Sequence, residues 1–197
     1  RLIRFVYYVE KTATSPIDAW LTRQGSTQPK MEALIFRIDH RIAQAPWMSE
    51  RTLPTGLRLL PWLDIEDAER QKLLTEPRHA YPSFLSPFKT FAPMEPMNSL
   101  GLLSPSGIEG WSISYRLRQD TILYDALYVA PEYQFSGLSL IMLSKVIRLH
   151  LEKVEQIPLG LFAVNTSTPS MFNLARKWIS PYAAKISEKR CSELHLE

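Results

Sequence analysis

The sequence predicts an α+β fold in which a mixed, mostly antiparallel sheet is flanked by helices. Strand-like and helix-like segments are mixed along the chain, and three consecutive strand-like segments are separated only by short turns, as in an antiparallel meander. The composition is that of a globular protein, with 45% hydrophobic and 22% charged residues. A chain of 197 residues accommodates one or two domains with a buried core.

The N-terminal segment, residues 1–56, is predicted to form an extra strand and two helices. Residues 1–10 are rich in β-branched and aromatic side chains, which favour a strand. Ser15 is followed by proline, which indicates an N-cap and the first turn of a helix over residues 16–24. A second helix is predicted over residues 29–44, because five apolar residues follow the spacing of one helical face. These residues are Met31, Leu34, Ile35, Ile38 and Ile42.

The charge of the protein is concentrated in this same segment. Residues 1–56 carry eight basic and five acidic residues, whereas residues 57–197 carry fifteen of each, so the net charge of +3 lies in the first quarter of the chain. An excess of this size does not indicate a nucleic-acid surface. Three roles remain open for the segment: it completes the fold, it is an arm that forms a homodimer, or it is the tail of a preceding domain. We favour the first role, with residues 57–197 as the main domain.

The elements of the main domain are predicted from turn residues and hydrophobic patterns. Residues 57–62 form a short strand, and Asp64 caps a helix that runs to Thr75. Six prolines from Pro77 to Pro105 exclude one long helix there. The meander strands are predicted at 99–103, 108–117 and 121–129. A long helix over 138–154, a buried strand over 159–164, a helix over 169–178 capped by Ser167 or Thr168, and a strand over 183–194 complete the chain.

The segment between the last meander strand and the long helix carries a specific motif. It reads Val129-Ala-Pro131, followed by Gln134-Phe-Ser-Gly137-Leu-Ser139. This segment resembles motif A of the GNAT superfamily of acyl-CoA N-acyltransferases, in which a strand ending in Val-x-Pro is followed by Gln/Arg-x-x-Gly-x-Gly/Ala at the start of a long helix. The resemblance covers about residues 57–197. The last small position of the motif holds Ser139 in place of glycine or alanine.

The N-terminus of a helix is suited to an anion, because it presents unpaired N–H groups and a partial positive charge. The resemblance implies that this anion is the pyrophosphate of coenzyme A and that the pantetheine arm pairs with the backbone near Leu127 and Val129. The residues that the resemblance assigns to the pyrophosphate are Gln134, Phe135, Ser136, Gly137, Leu138 and Ser139.

Residues 159–178 resemble motif B of the same superfamily, a strand and helix that cover the pantetheine and acetyl region. In many members a polar residue at the helix start is followed seven residues later by a tyrosine, which protonates the leaving thiolate. Thr168 and Ala175 take these two positions here, so Tyr182 is our candidate for the acid. Asn165 and Asn173 are either contacts to CoA or helix caps.

Direct acyl transfer requires a group that accepts a proton from the amine. Asp125 has the same strand parity as Leu127 and Val129, so it is predicted to share their sheet face and is our candidate base. The alternative is a structural, paired aspartate. No metal site is predicted, because the four histidines lack metal-binding spacing. They are His40, His79, His150 and His195.

The resemblance implies an acyl-CoA-dependent N-acyltransferase that uses acetyl-CoA, or another acyl-CoA, to modify a primary amine of a small molecule, peptide or protein. The alternative is a non-catalytic module that binds CoA or a protein partner on the same scaffold. The single Cys191 predicts a reducing compartment, the cytoplasm. No apolar stretch reaches the length of a membrane span. An aromatic and methionine-rich loop is read either as a wall of the acceptor pocket or as core packing. It contains Tyr81, Phe84, Phe88, Phe91, Met94 and Met97.

Overall fold

The structure, a computed structural model, describes residues 1–11, 15–75 and 80–195. They form eight strands and four α-helices in an α+β fold, with mostly antiparallel strand pairs. The strands are β1 (Leu2–Glu10), β2 (Lys30–Ile38), β3 (Arg58–Pro61), β4 (Leu100–Ser104), β5 (Gly107–Arg118), β6 (Thr121–Val129), β7 (Leu159–Asn165) and β8 (Lys185–His195). The helices are α1 (Pro16–Arg23), α2 (Asp67–Thr75), α3 (Leu138–Leu151) and α4 (Pro169–Leu174). Pro77 and His79 lie outside the described residues.

The chain divides into two compact units. Residues 1–42 and 161–197 form the terminal unit, and residues 43–160 form the central unit. In the terminal unit, β8 lies between β1 and β2 and is antiparallel to both. Strands from the two ends of the described chain are therefore interleaved in one unit.

The second N-terminal helix predicted over residues 29–44 is wrong, because residues 30–38 form β2. Leu34, Phe36 and Ile38 are buried at alternate positions of this strand. The pairing with β8 shifts register between Met31 and Ala33, so one extra residue changes the phase of the alternation. A strand that is interrupted in this way imitates the spacing of a helical face. Residues 40–44 form only a short 3₁₀ turn.

The structure confirms the other two predicted elements of the N-terminal segment, β1 and α1. The Ser15 hydroxyl accepts a hydrogen bond from the Asp18 amide at 3.1 Å, which is the capping contact that the sequence predicts. Asp18 also accepts a hydrogen bond from the Tyr7 hydroxyl and forms an ion pair with Arg190 of β8. These contacts attach α1 to both β1 and β8.

The central unit contains the predicted meander. Its strands lie in the order β6-β5-β4-β3, and each neighbouring pair is antiparallel. One sheet face carries an aromatic core in which Trp111 stacks on Tyr128 with ring centroids 4.4 Å apart. Helix α2 begins at Asp67, because Asp64, the predicted cap, ends a 3₁₀ turn that starts at Trp62.

The later helices differ from prediction at their ends. Helix α3 starts where predicted and ends at Leu151. The helix predicted over 169–178 is α4 followed by a π-helical turn over residues 175–179. Thr168 occupies the N-cap position of α4, but its hydroxyl donates to the Asn165 carbonyl at 2.9 Å and does not cap the helix. No helix in the described part of the chain is both long and apolar enough to cross a bilayer.

A buried histidine near the end of α3 makes the stability of the central unit depend on pH. His150 Nε2 lies 2.7 Å from the Ile157 carbonyl oxygen, so this nitrogen donates, and Nδ1 accepts from the Tyr124 hydroxyl at 2.6 Å. Burial, the largest effect, lowers the pKa of His150, whereas the hydrogen bond to the Ile157 carbonyl acts in the opposite direction and offsets only part of this shift. Stability from the neutral form is therefore complete above the ordinary histidine pKa of about 6.5 and is lost as the pH falls through the lower folded-state pKa.

We therefore expect the free energy of unfolding in urea to fall between pH 7.5 and pH 5. His150→Gln should reduce this free energy at pH 7.5 by about 1 to 2 kcal/mol, the range for one or two buried hydrogen bonds, and should reduce its pH slope. Tyr124→Phe is the control, because it removes one hydrogen bond and keeps the titrating imidazole. An equal pH slope in wild type and His150→Gln would contradict the assignment.

Candidate functional site

The site is the loop that joins β6 to α3 in the central unit. Two side chains hold this loop in place. Gln134 Nε2 donates to the Val129 carbonyl at 3.3 Å, and the Ser136 hydroxyl donates to the Tyr133 carbonyl at 2.5 Å. A short 3₁₀ turn at Pro131–Tyr133 precedes these residues. The loop is therefore fixed by its own hydrogen bonds at both ends.

Gly137 is the N-cap of α3 and has a φ of 86°. A Cβ atom at this position would meet no heavy atom within 4 Å, so the backbone faces open space. The positive φ explains why glycine is needed here, since an L side chain is strained in the left-handed region. Gly137 therefore combines the conformation and the access that an anion needs in order to approach the backbone closely.

Three amides around Gly137 are available to such an anion. Within the described residues, the N–H groups of Phe135, Gly137 and Ser139 have no hydrogen-bond acceptor. Unpaired amides at the N-terminus of a 14-residue helix are donors of the kind that can bind a phosphate group. We call the backbone of residues 135–139 the amide cradle.

Some of the amides that the resemblance assigns to the pyrophosphate are already used in hydrogen bonds within the loop. The Gln134 amide already donates to the Pro131 carbonyl at 3.2 Å, and the Ser136 amide donates to the Tyr133 carbonyl at 3.4 Å. The Leu138 side chain is 1% exposed and packs with Val129, so it cannot contact a ligand. The Leu138 amide donates to the Ser136 hydroxyl at 3.4 Å. The amides of Phe135, Gly137 and Ser139 remain the groups suited to an anion, because the Ser136 hydroxyl already donates its proton to the Tyr133 carbonyl.

Asp125 is the extra residue of a β-bulge in β6. In the pairing of β5 with β6, Ile113 lies opposite Ala126 and Ser114 lies opposite Tyr124. Asp125 has no opposite residue, and a bulge of this kind bends the strand and leaves its extra residue outside the regular ladder.

The bulge overturns the predicted orientation of Asp125. Leu127 and Val129 pack in the cluster that includes α3. Asp125 instead accepts a hydrogen bond from Lys89 Nζ at 2.6 Å. The Lys89 carbonyl accepts from the Tyr115 hydroxyl at 3.0 Å, and Tyr115 belongs to the aromatic core on the opposite face. The prediction that Asp125 shares a sheet face with Leu127 and Val129 is wrong, because strand parity changes at a bulge.

The aromatic and methionine-rich loop divides between the two interpretations. Tyr81, Phe88 and Met94 pack against the aromatic core, as expected of core packing. Phe84 and Phe91 are exposed, and they are the members that remain available for a pocket wall.

The other candidate residues lie in the terminal unit. Asn165 is exposed at the end of β7, and Asn173 is exposed on α4. Tyr182 is half-buried in a 3₁₀ turn over residues 180–182. Ala175, at the position of the usual tyrosine, is 1% exposed and packs in the interior.

The terminal unit also contains a cavity of about 530 Å³ that sequence reasoning missed. Arg4, Glu32 and Cys191 line it, and Arg4 donates to the Cys191 sulfur at 2.9 Å and forms an ion pair with Glu32. These residues come from β1, β2 and β8, and only strand pairing brings them together, so no local sequence signal could indicate the cavity. Residues 134–139 do not line it. In the described ranges, no three His, Cys, Asp or Glu residues form a cluster suited to a metal ion.

Comparisons with known proteins give structural matches alone. No protein-family model matches the chain, and no curated protein matches it. A tandem GNAT protein from the clavulanic acid biosynthesis pathway is similar, with a TM-score of 0.66 and 10% identity over 98% of this chain and 63% of that one. A GCN5-related N-acetyltransferase from Sphaerobacter thermophilus has a TM-score of 0.59 and 12% identity, over 98% of this chain and 60% of that one.

A GCN5-related N-acetyltransferase from Kribbella flavida is also similar, with a TM-score of 0.56 and 9% identity over 97% of this chain and 68% of that one. The chain thus spans less than two thirds of the length of the first two structures. At these identities the likeness describes the fold.

Proposed function

Because this chain has the fold of the GCN5-related N-acetyltransferases, we propose that it transfers an acetyl group from acetyl-CoA to a primary amine. The observation that carries the proposal is the exposed amide cradle at Gly137, which combines a left-handed glycine with unpaired N–H groups. A cradle of this kind recognises a phosphate by backbone hydrogen bonds and by the helix dipole.

The residues present are suited to CoA. The amides of Phe135, Gly137 and Ser139 would hold the pyrophosphate, and a Cβ atom at Gly137 would intrude on the space beside them. Ser139 is half-buried and small, so it leaves room for the ligand. When bound, acetyl-CoA supplies the activated thioester. We propose that the backbone near Leu127 and Val129 positions the pantetheine arm.

The catalytic groups of the proposed reaction are assigned by their chemistry. Asp125 is not retained as the base, because its carboxylate is paired with Lys89 and lies on the face opposite to Leu127 and Val129. Tyr182 is the candidate acid for the leaving thiolate, since Ala175 cannot donate a proton. Direct attack needs no covalent intermediate, so no nucleophilic side chain is required.

We expect Asp125→Asn to leave kcat and the affinity for acetyl-CoA close to their wild-type values, because this carboxylate is engaged by Lys89 on the opposite sheet face. Tyr182→Phe should lower kcat by about 100-fold or more, because phenylalanine cannot donate a proton to the leaving thiolate and general acid–base catalysis contributes about 10² to 10⁴ in rate. Steady-state kinetics with an amine that the wild-type protein acetylates give kcat. Direct titration with acetyl-CoA gives the affinity for acetyl-CoA. Wild-type kcat in Tyr182→Phe would remove Tyr182 from the mechanism, and a loss of kcat of about 100-fold in Asp125→Asn would contradict the orientation assigned to Asp125.

A second candidate function is a non-catalytic CoA-binding module. Two observations favour it: Ala175 occupies the position of the usual acid, and the Asp125 carboxylate is already paired with Lys89. Such a module would bind CoA through the amide cradle but would not transfer an acyl group.

Thermal shift with CoA, acetyl-CoA and longer acyl-CoAs tests the shared part of both proposals. A ligand at 100 times its Kd stabilises the folded state by about 2.7 kcal/mol, which is readily measured as a rise in Tm. Thioester consumption with a panel of amines then distinguishes the two, because a module binds without turnover. The absence of any shift with every acyl-CoA would refute both.

The acceptor is proposed to be an amine of a small molecule, a peptide or a protein, and the cytoplasm remains our proposed location. Residues 57–197 as the acyltransferase domain and the formation of a homodimer stay proposals as well. If the protein is an acetyltransferase, at least one amine should increase the rate at which it consumes acetyl-CoA. The panel of amines in the thioester assay tests this expectation.

A further inference from the structure

The amide cradle contains an aromatic side chain in an unusual position. Phe135 has a relative exposure of 101%, so its ring contacts almost nothing in the protein. Its φ of 64° lies in the left-handed region. Among the described residues, every other positive φ belongs to a glycine. The chain therefore holds a large apolar ring in water at a position where glycine would be less strained.

The surroundings of Phe135 argue against a protein-docking surface. Its neighbours Gln134, Ser136 and Gly137 are exposed and are polar or lack a side chain, and Glu132 is also exposed. Docking surfaces consist of contiguous apolar patches, whereas this ring stands alone among polar groups. An isolated planar ring is better suited to a planar ligand group.

The chemistry of the proposed cofactor places such a group nearby. In CoA the adenosine is joined to the pyrophosphate through the ribose 5′ carbon, so a cradle that holds the pyrophosphate leaves the purine beside the same loop. The Phe135 amide belongs to the cradle, and the Phe135 ring projects from it into solvent. Purines stack well on aromatic rings.

We propose that Phe135 binds the adenine of CoA by stacking, an inference that rests on the proposed function. The left-handed backbone at Phe135 directs its amide and its ring to two different parts of one ligand. Phe135 thus selects a nucleotide-bearing acyl carrier over a carrier that ends at the phosphopantetheine phosphate.

Titration calorimetry of the full chain with CoA and with 4′-phosphopantetheine, which lacks the adenosine, tests this proposal. Phe135→Ala is expected to weaken CoA binding by about 5- to 100-fold, the range of base–aromatic stacking. Binding of 4′-phosphopantetheine should not change, and Phe135→Trp should keep the affinity for CoA.

Phe135→Gly separates binding from folding. Glycine adopts the left-handed conformation without strain, so the Tm of the free protein should rise while the affinity for CoA falls. Wild-type affinity for CoA in both Phe135→Gly and Phe135→Ala would overturn the proposal, and so would an equal loss for 4′-phosphopantetheine. If the wild-type chain binds neither compound, the proposed function itself fails, which is a different result.

Discussion

Gly137→Glu is expected to abolish the rise in Tm that CoA and acetyl-CoA produce in the wild-type protein. The new carboxylate would stand in the open space in front of the amide cradle and would repel a pyrophosphate. The substitution also places an L side chain at a φ of 86°, which costs about 1 to 2 kcal/mol in the free protein. We expect at least a 100-fold loss of affinity, measured by titration calorimetry together with thermal shift.

The chain offers a matched control in Gly56. This glycine has the same φ of 86°, and a Cβ atom there also meets nothing within 4 Å. Gly56→Glu should therefore carry the same conformational cost and the same charge change, and it should keep the full response to CoA. If both variants lost the response, or if neither did, the cradle at Gly137 would not be the binding site.

Deletion of residues 1–42 is expected to prevent cooperative folding of the terminal unit. The deletion removes β1 and β2, which are the two hydrogen-bonded neighbours of β8. It also removes large buried side chains, four of which are at most 1% exposed; each is worth about 1.5 to 3 kcal/mol, and their sum is comparable with the whole stability of a typical domain. These are Leu21, Phe36, Ile38 and Ile42. Circular dichroism and size-exclusion chromatography of residues 43–197 provide the measurement.

A shorter deletion distinguishes the two strands. Removing residues 1–11 takes away β1, which lies at the end of the strand order β1-β8-β2. Strand β8 stays paired with β2. We expect this shorter deletion to keep a cooperative transition at a lower Tm. If residues 43–197 instead unfolded with the wild-type Tm, the N-terminal segment would be an independent attachment.

The meander and the helix that follows it were predictable because their signals are local. Turn residues separate the strands β4, β5 and β6, and a continuous apolar face defines α3. Strand β2 was not predictable in this way. Its phase changes at Glu32, and its partners β8 and β7 come from the far end of the chain. The phase change gives its apolar residues the spacing of a helical face, and the partner strands that stabilise it are not visible in the local sequence.

The candidate site shows the same division. The glycine of the amide cradle was predictable from the motif, and the structure gives it the expected exposure and left-handed backbone. The orientation of Asp125 was not predictable, because the bulge depends on register with β5. The unpaired amides could not be identified either, since Gln134 and Ser136 use theirs within the loop. Parity along a strand predicts a sheet face only while pairing is regular.

The interleaving of β1, β8 and β2 determines when this protein can finish folding on the ribosome. Residues 43–160 contain all of their meander partners within one continuous stretch, so they can fold while the rest of the chain is still being made. Strand β1 cannot pair until β8 has been synthesised, since Leu2 pairs with His195. Until then the nascent chain presents an unpaired, aromatic-rich strand, and chaperones that recognise such segments are expected to act on β1.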